Sequence, residues 1–231
     1  MIRSVLAALA LLPAPAFADF TENNLLAIFY HELGHAVIDQ MQVPIFGQEE
    51  DAADSLSILL VDALYESDDA ETIAFDSASL FWVESEHEPA FWDTHGPDEQ
   101  RFYNTVCLFY GADPDAREDF ARELDLPEER AIGCEDEFAL AAESWGAVLD
   151  EMSETTGGKG KLVLKDSSQM PVIAQEIEAL NREFNWPKDM VVTIEDCGEP
   201  NAYYDLEAQS VTMCSELIGW LDGIAKQIGA N

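Results

Sequence analysis

Residues 29–37 read Phe29-Tyr30-His31-Glu32-Leu33-Gly34-His35-Ala36-Val37, and residues 50–54, just past Pro44 and Gly47, read Glu50-Asp51-Ala52-Ala53-Asp54. At 3.6 residues per turn His31 and His35 share one helical face, with Glu32 beside them and within reach of a water held there. The intervening and flanking positions Tyr30, Leu33, Gly34, Ala36 and Val37 bring no charge and no proline, as a buried helix requires. Two imidazoles one turn apart on an apolar face are costly unless something binds them, and H-E-x-x-H is the pattern with which helices hold zinc for hydrolysis.

A catalytic zinc needs three protein ligands and an open position. The longer H-E-x-x-H-x-x-G-x-x-H pattern is excluded, because Ile38 and Met41 stand where its glycine and third histidine belong. The chain instead turns through residues 41–47, where Pro44 and Gly47 end the first helix, and restarts at Gln48-Glu49-Glu50. Two antiparallel helices joined by a short turn bring the start of the second against the first. Glu49, Glu50 and Asp51 are all candidates for the third ligand. Glu50 leads because Asp54 lies four residues on, on the same face.

The first eighteen residues predict a signal peptide: Arg3, an apolar run from Val5 to Leu12, and an A-x-A cleavage site at Ala16-Phe17-Ala18. The mature protein, residues 19–231, is expected to be one domain, helical over 19–152 and α+β over 160–231, in the periplasm or secreted, with no membrane span. Eleven basic against 47 acidic residues, for a net charge of -36, disfavour nucleic acid and anionic membranes as partners. Four cysteines in an exported chain suggest two disulfides. Of three possible connectivities Cys107–Cys134 with Cys197–Cys214 is preferred, since each pairs neighbours within one half. Cysteine-bound zinc is disfavoured by the lack of a C-x-x-C.

Apolar periodicity predicts helices over 22–41, with an N-cap from the Thr21-Glu22-Asn23-Asn24 stretch, 48–65, 71–83, 98–110, 114–124 and 131–152. After the glycine-rich stretch 157–160 the pattern becomes mixed. Strands are expected at 162–164 and 190–194, helices at 172–184 and 215–228, and paired strands at 201–204 and 210–213 across a turn at 205–209. The expected class is mainly α with a small β element, zincin-like, with a helical core and a C-terminal hairpin supplying an edge strand.

Two further stretches carry possible chemistry. In His95-Gly96-Pro97-Asp98-Glu99-Gln100-Arg101 an imidazole could stabilise a developing oxyanion, and a guanidinium could grip a substrate carbonyl or carboxylate with two donors. In Pro200-Asn201-Ala202-Tyr203-Tyr204 an edge strand could hold an extended peptide, with Asn201 and Ala202 bridging its main chain. Taken alone, a surface loop and a Pro-Asn turn explain these stretches as well.

Together the motifs resemble the gluzincins, the thermolysin and neprilysin-like zinc peptidases. The resemblance implies that His31, His35 and Glu50 bind zinc, Asp54 orients a ligand histidine and Glu32 is the general base. It also implies that His95 stabilises the transition state and that Arg101, Asn201 and Ala202 hold substrate. The cyclic order of the motifs matches neprilysin, but Asn201-Ala202-Tyr203-Tyr204 comes last instead of first, a circular permutation. Over nearly all of the mature length the chain is also similar to a secreted bacterial family of metallopeptidase type, through Gly47 to Asp54, Asp93 to Asn104, and Cys197 to Asp205 with Cys214. The expectation is an exported zinc peptidase acting on peptides or proteins. Its rivals are a zinc- and peptide-binding relative without turnover, and a metallohydrolase of other amides or esters.

Overall fold

The computed structural model describes residues 19–154, 160–165 and 169–230. The expected signal peptide and residues 157–159 of the glycine-rich stretch lie outside them.

The chain folds around its first helix, α1 (Phe20–Met41). Asp19 caps it by accepting from the Glu22 backbone N–H at 2.9 Å, so the helix begins two residues before the predicted start. It stops at Gln42, whose left-handed φ of 54° leads into the turn before Pro44. Helices α2 (Glu49–Leu64) and α3 (Ser67–Glu84) follow. The latter starts four residues earlier than predicted, with Asp68 and Asp69 favoured by the dipole of its first turn. Helix α4 (Asp98–Ala112) completes a group of four helices around the site.

Where one helix was predicted over 114–124, only α5 (Glu118–Glu123) is helical. Before it, Asp113 Oδ1 closes a turn on Ala116 N at 3.2 Å, and buried Arg117 turns inward to donate to Phe109 O at 2.6 Å and pair with Asp62. The predicted 131–152 helix is α7 (Cys134–Glu154), and a short unpredicted helix, α6 (Glu128–Ala131), precedes it, with residues 132–133 dividing the two. The Cys107–Cys134 disulfide fixes that division against α4. At Gly111 a side chain is sterically impossible, since a Cβ would meet Cys134 O at 2.1 Å.

The second half holds β1 (Leu162–Lys165), α8 (Pro171–Glu183), β2 (Met190–Glu195), β3 (Ala202–Asp205), β4 (Ser210–Cys214) and α9 (Glu216–Ile228). The four strands form one sheet in the order β1-β2-β4-β3. The expected β3–β4 hairpin is present and antiparallel, with Tyr203 opposite Thr212. Its β4 strand also runs parallel to β2, which runs parallel to β1. The fold is therefore mainly helical with a small mixed sheet, and β3 is an outer strand.

Phe29, Tyr30, Leu33 and Ala36 of α1 are almost fully buried, each large one contributing about 1.5–3 kcal/mol. The helix packs against α2, α3, α8, α9 and the sheet. Polar contacts, buried at Glu176 and part-buried at Asp39, tie the two halves together across it. Glu176 of α8 accepts from Tyr30 Oη at 2.7 Å and Tyr65 Oη at 2.9 Å, and Tyr204 Oη of β3 donates to Asp39 at 2.8 Å.

Candidate metal centre

Helix geometry alone brings His31 and His35 together, but the site needs α2 to come unusually close. Gly34 makes this possible: a Cβ there would stand 2.8 Å from Ala53 Cα and 2.9 Å from Ala53 Cβ. At this crossing the backbones nearly touch, and the first turn of α2 is laid across the histidines. Glu50 Oε2 then lies 3.1 Å from His31 Nε2 and 3.2 Å from His35 Nε2, and the two Nε2 atoms are 3.3 Å apart.

The triangle fits a metal. Four-coordinate zinc with bonds of about 2.0–2.1 Å places its ligand atoms about 3.3 Å from each other. Two imidazoles and a carboxylate are a donor set suited to zinc and its neighbours among divalent metals. His95 Nε2, on the loop before α4, is 3.0 Å from the same Glu50 oxygen, and His31, Glu50 and His95 also offer ligand atoms within 4.8 Å of one another. His31 and His35 are on a buried helix, whereas His95 is half-exposed on a loop, so the helical pair with Glu50 is the rigid set.

Each of the three histidines presents Nε2 to the centre and has a carboxylate behind Nδ1. His31 Nδ1 faces Asp54 Oδ1 at 2.7 Å, His35 Nδ1 faces Glu49 Oε1 at 2.8 Å, and His95 Nδ1 faces Asp93 Oδ1 at 3.4 Å. Such carboxylates fix the tautomer that leaves the Nε2 lone pair free for a metal. Asp54 is held in turn by Arg101, through Nε at 2.8 Å and Nη2 at 2.9 Å, and that guanidinium lies over the Phe81 ring. Arg101, expected to face substrate, thus spends its two-donor fork on the carboxylate behind His31.

Electrostatics follow from this crowding. Burial pulls the His31 pKa down, but Asp54 and Glu50 more than offset it and raise it to about 9. His35 is likewise raised against its burial by Glu50 and Glu49, and His95 is raised chiefly by Glu50. Glu50 and Asp54 resist burial and sit well below the usual carboxylate range, Glu50 because of the three imidazoles and Asp54 because of His31 and Arg101. Glu32 goes the other way: burial raises its pKa in spite of the neighbouring histidines. A carboxylate with raised basicity in a cleft is suited to taking a proton.

All these groups line one cleft of about 790 Å³. Residues 200–204 flank it, so β3 runs along the same cleft as the histidines. Ala202 sits on the strand, while Asn201 precedes it, exposed, with Oδ1 accepting from Ala202 N at 2.9 Å. The structure forms both cysteine pairs that the sequence favoured, Cys107–Cys134 and Cys197–Cys214. The second ties the segment before β3 to the end of β4. Sequence reasoning missed the supports at Glu49 and Asp93. In the sequence Glu49 reads only as an alternative ligand, and its place at the start of α2 is the one available signal.

A family model described as "Putative metallopeptidase" matches residues 15–149 and 152–229, nearly the whole chain. The chain belongs to that family. In this metallopeptidase family member the matched span holds the three histidines, Glu50, Glu32 and the edge strand together. No curated protein and no solved structure matches it.

Proposed function

We propose that the protein is an exported zinc peptidase of gluzincin type, with His31, His35 and Glu50 as the metal ligands. The observation that carries this reading is the triangle of two Nε2 atoms and Glu50 Oε2 with 3.1–3.3 Å edges, beside a buried glutamate in an open cleft. When bound, the zinc supplies Lewis acidity, which makes a water acidic near neutral pH and polarises a carbonyl. Glu32 takes the proton of the attacking water and returns it to the leaving amine nitrogen. His95, whose pKa Glu50 raises, acts as the imidazolium: it keeps Nδ1–H on Asp93 and donates its Nε2–H to the carbonyl oxygen as charge builds on it. Asp54 keeps His31 in its ligating tautomer, and Arg101 keeps Asp54 in place. An extended peptide adds to the outer side of β3, with Asn201 and Ala202 meeting its main chain.

Two disulfides support an oxidising compartment outside the cytoplasm, and no described helix is long and apolar enough to cross a membrane. The permuted motif order is physically reasonable because the two ends of the described chain meet: Thr21 Oγ1 donates to Asp222 of α9 at 2.6 Å.

The test combines elemental mass spectrometry with a fluorogenic peptide library, on wild type and Glu50→Ala. About one zinc per chain, lost together with cleavage in the variant, is expected. Zinc without cleavage of any peptide would replace the enzyme with a binding protein, and cleavage limited to non-peptide amides would change its substrate class.

A further inference from the structure

Glu50 Oε2 faces three imidazoles, one more than the proposed zinc ligands include. His95 Nε2 lies 3.0 Å from that oxygen, as close as His31 Nε2 at 3.1 Å and His35 Nε2 at 3.2 Å. Ligand atoms of His31, Glu50 and His95 also fall within 4.8 Å of one another. Neighbouring ligand atoms on a four-coordinate zinc are about 3.3 Å apart, so the His95–Glu50 edge is already in place and at most about 1.5 Å of the His31–His95 edge is left to close.

The ring is prepared as a ligand. Asp93 Oδ1 faces its Nδ1 at 3.4 Å and accepts from the His95 backbone N–H at 3.1 Å, which turns the Nε2 lone pair to the centre as Asp54 does for His31 and Glu49 for His35. Its footing is different. The side chains of His31 and His35 are 11% and 13% exposed on α1, whereas that of His95 is 44% exposed on the loop of residues 85–97. Local turns shape this loop, Asp93 N donating to Ala90 O at 2.8 Å and His87 N to Glu84 O at 3.0 Å, and its large apolar residues Phe91 and Trp92 are 80% and 89% exposed, outside the core. Such a segment moves at low cost while the core stays folded. A ligand needs the lone pair on Nε2 and an oxyanion donor needs a proton there, so the ring serves one role at a time.

We propose that His95 is a fourth, removable zinc ligand: in the resting protein its Nε2 fills the coordination position that substrate needs, and the loop carries it off when substrate arrives. The inference rests on zinc binding by His31, His35 and Glu50 and adds how that site is regulated. Released, the ring takes a proton from solvent at Nε2 and becomes the imidazolium that donates to the carbonyl oxygen. A single side chain then closes the metal in the idle enzyme and assists the reaction in the working one.

The chain has four histidines, so ring-nitrogen NMR can follow each of them, with His95 identified by the signal missing in His95→Ala. His87, whose Nδ1 is 3.1 Å from the Glu84 carbonyl oxygen at the end of α3, is the internal control. With about one equivalent of zinc, the Nε2 signals of His31, His35 and His95 should all move to the metal-bound position. Acetohydroxamate, a small zinc chelator, should then return His95 alone to the free position. In chelator competition His95→Ala should hold zinc at least about tenfold more weakly. If only His31 and His35 move, and His95→Ala holds zinc as tightly as wild type, the cap is overturned and the peptidase stands. A His95 signal that stays metal-bound in acetohydroxamate overturns the release. A cap that forms and releases as expected, in a protein that cuts no peptide, keeps the cap and overturns the peptidase.

Discussion

His31 stands between Asp54 on one ring nitrogen and Glu50 on the other, and that position makes metal uptake a proton exchange. In the metal-free protein its pKa rises from 6.5 to about 9 on folding. The stability this contributes is fully present below 6.5 and is lost as pH climbs through about 9. A metal needs the neutral ring, so zinc affinity should increase with pH until about 9 and then level off. In Asp54→Asn the levelling should come at lower pH, with affinity on the plateau weaker by about 10–100-fold; chelator competition across pH reads both effects. Glu32 carries the complementary prediction. Glu32→Gln should keep its zinc and lose about 10²–10⁴-fold in kcat against library peptides. Full activity in that variant would remove Glu32 from the role of base.

At the scale of elements, the crossing of α1 and α2 decides whether a site exists. Gly34→Ala puts a methyl against the Ala53 backbone, so α2 must move away and take Glu50 with it. About 1–3 kcal/mol of stability should be lost, with a disproportionate loss of zinc, measured by urea unfolding and metal content on the same preparation. The Cys197–Cys214 bridge spans 17 residues around the hairpin. Replacing both cysteines with alanine should cost about 2–4 kcal/mol in denaturant unfolding, and edge-strand contacts should suffer before the zinc does. The motif helix, Glu50 with Asp54, the hairpin and the disulfide pairs were all legible in the sequence, because each depends on spacing within one or two elements. Contacts set by packing were not legible. Nothing near Gly34 names Ala53 as its neighbour, and nothing near β4 says that β2 will pair with its other side. Arg101 reads in the sequence as a guanidinium for substrate, and only packing brings Asp54 to its two donors. The break before α7 likewise depends on where Cys107 holds Cys134.

For the molecule as a whole, a net charge of -36 sets acidic groups against one another. Going from 0.1 to 1 M salt shortens the screening length from about 10 to about 3 Å. The melting temperature should therefore rise with sodium chloride, as differential scanning fluorimetry can follow; a fall would mean that attractive ion pairs such as Arg130–Glu137 outweigh the repulsion. Helix α1 fills the core and also carries two of the proposed zinc ligands, His31 and His35. A site built on a loop could empty while its scaffold stayed intact. Here a zinc ion held at a hundred times its dissociation constant would add about 2.7 kcal/mol to the folded state. On the proposed reading, the chain's lifetime among proteases would depend on its metal supply: molecules starved of zinc would be the first to open, and so the first to be digested.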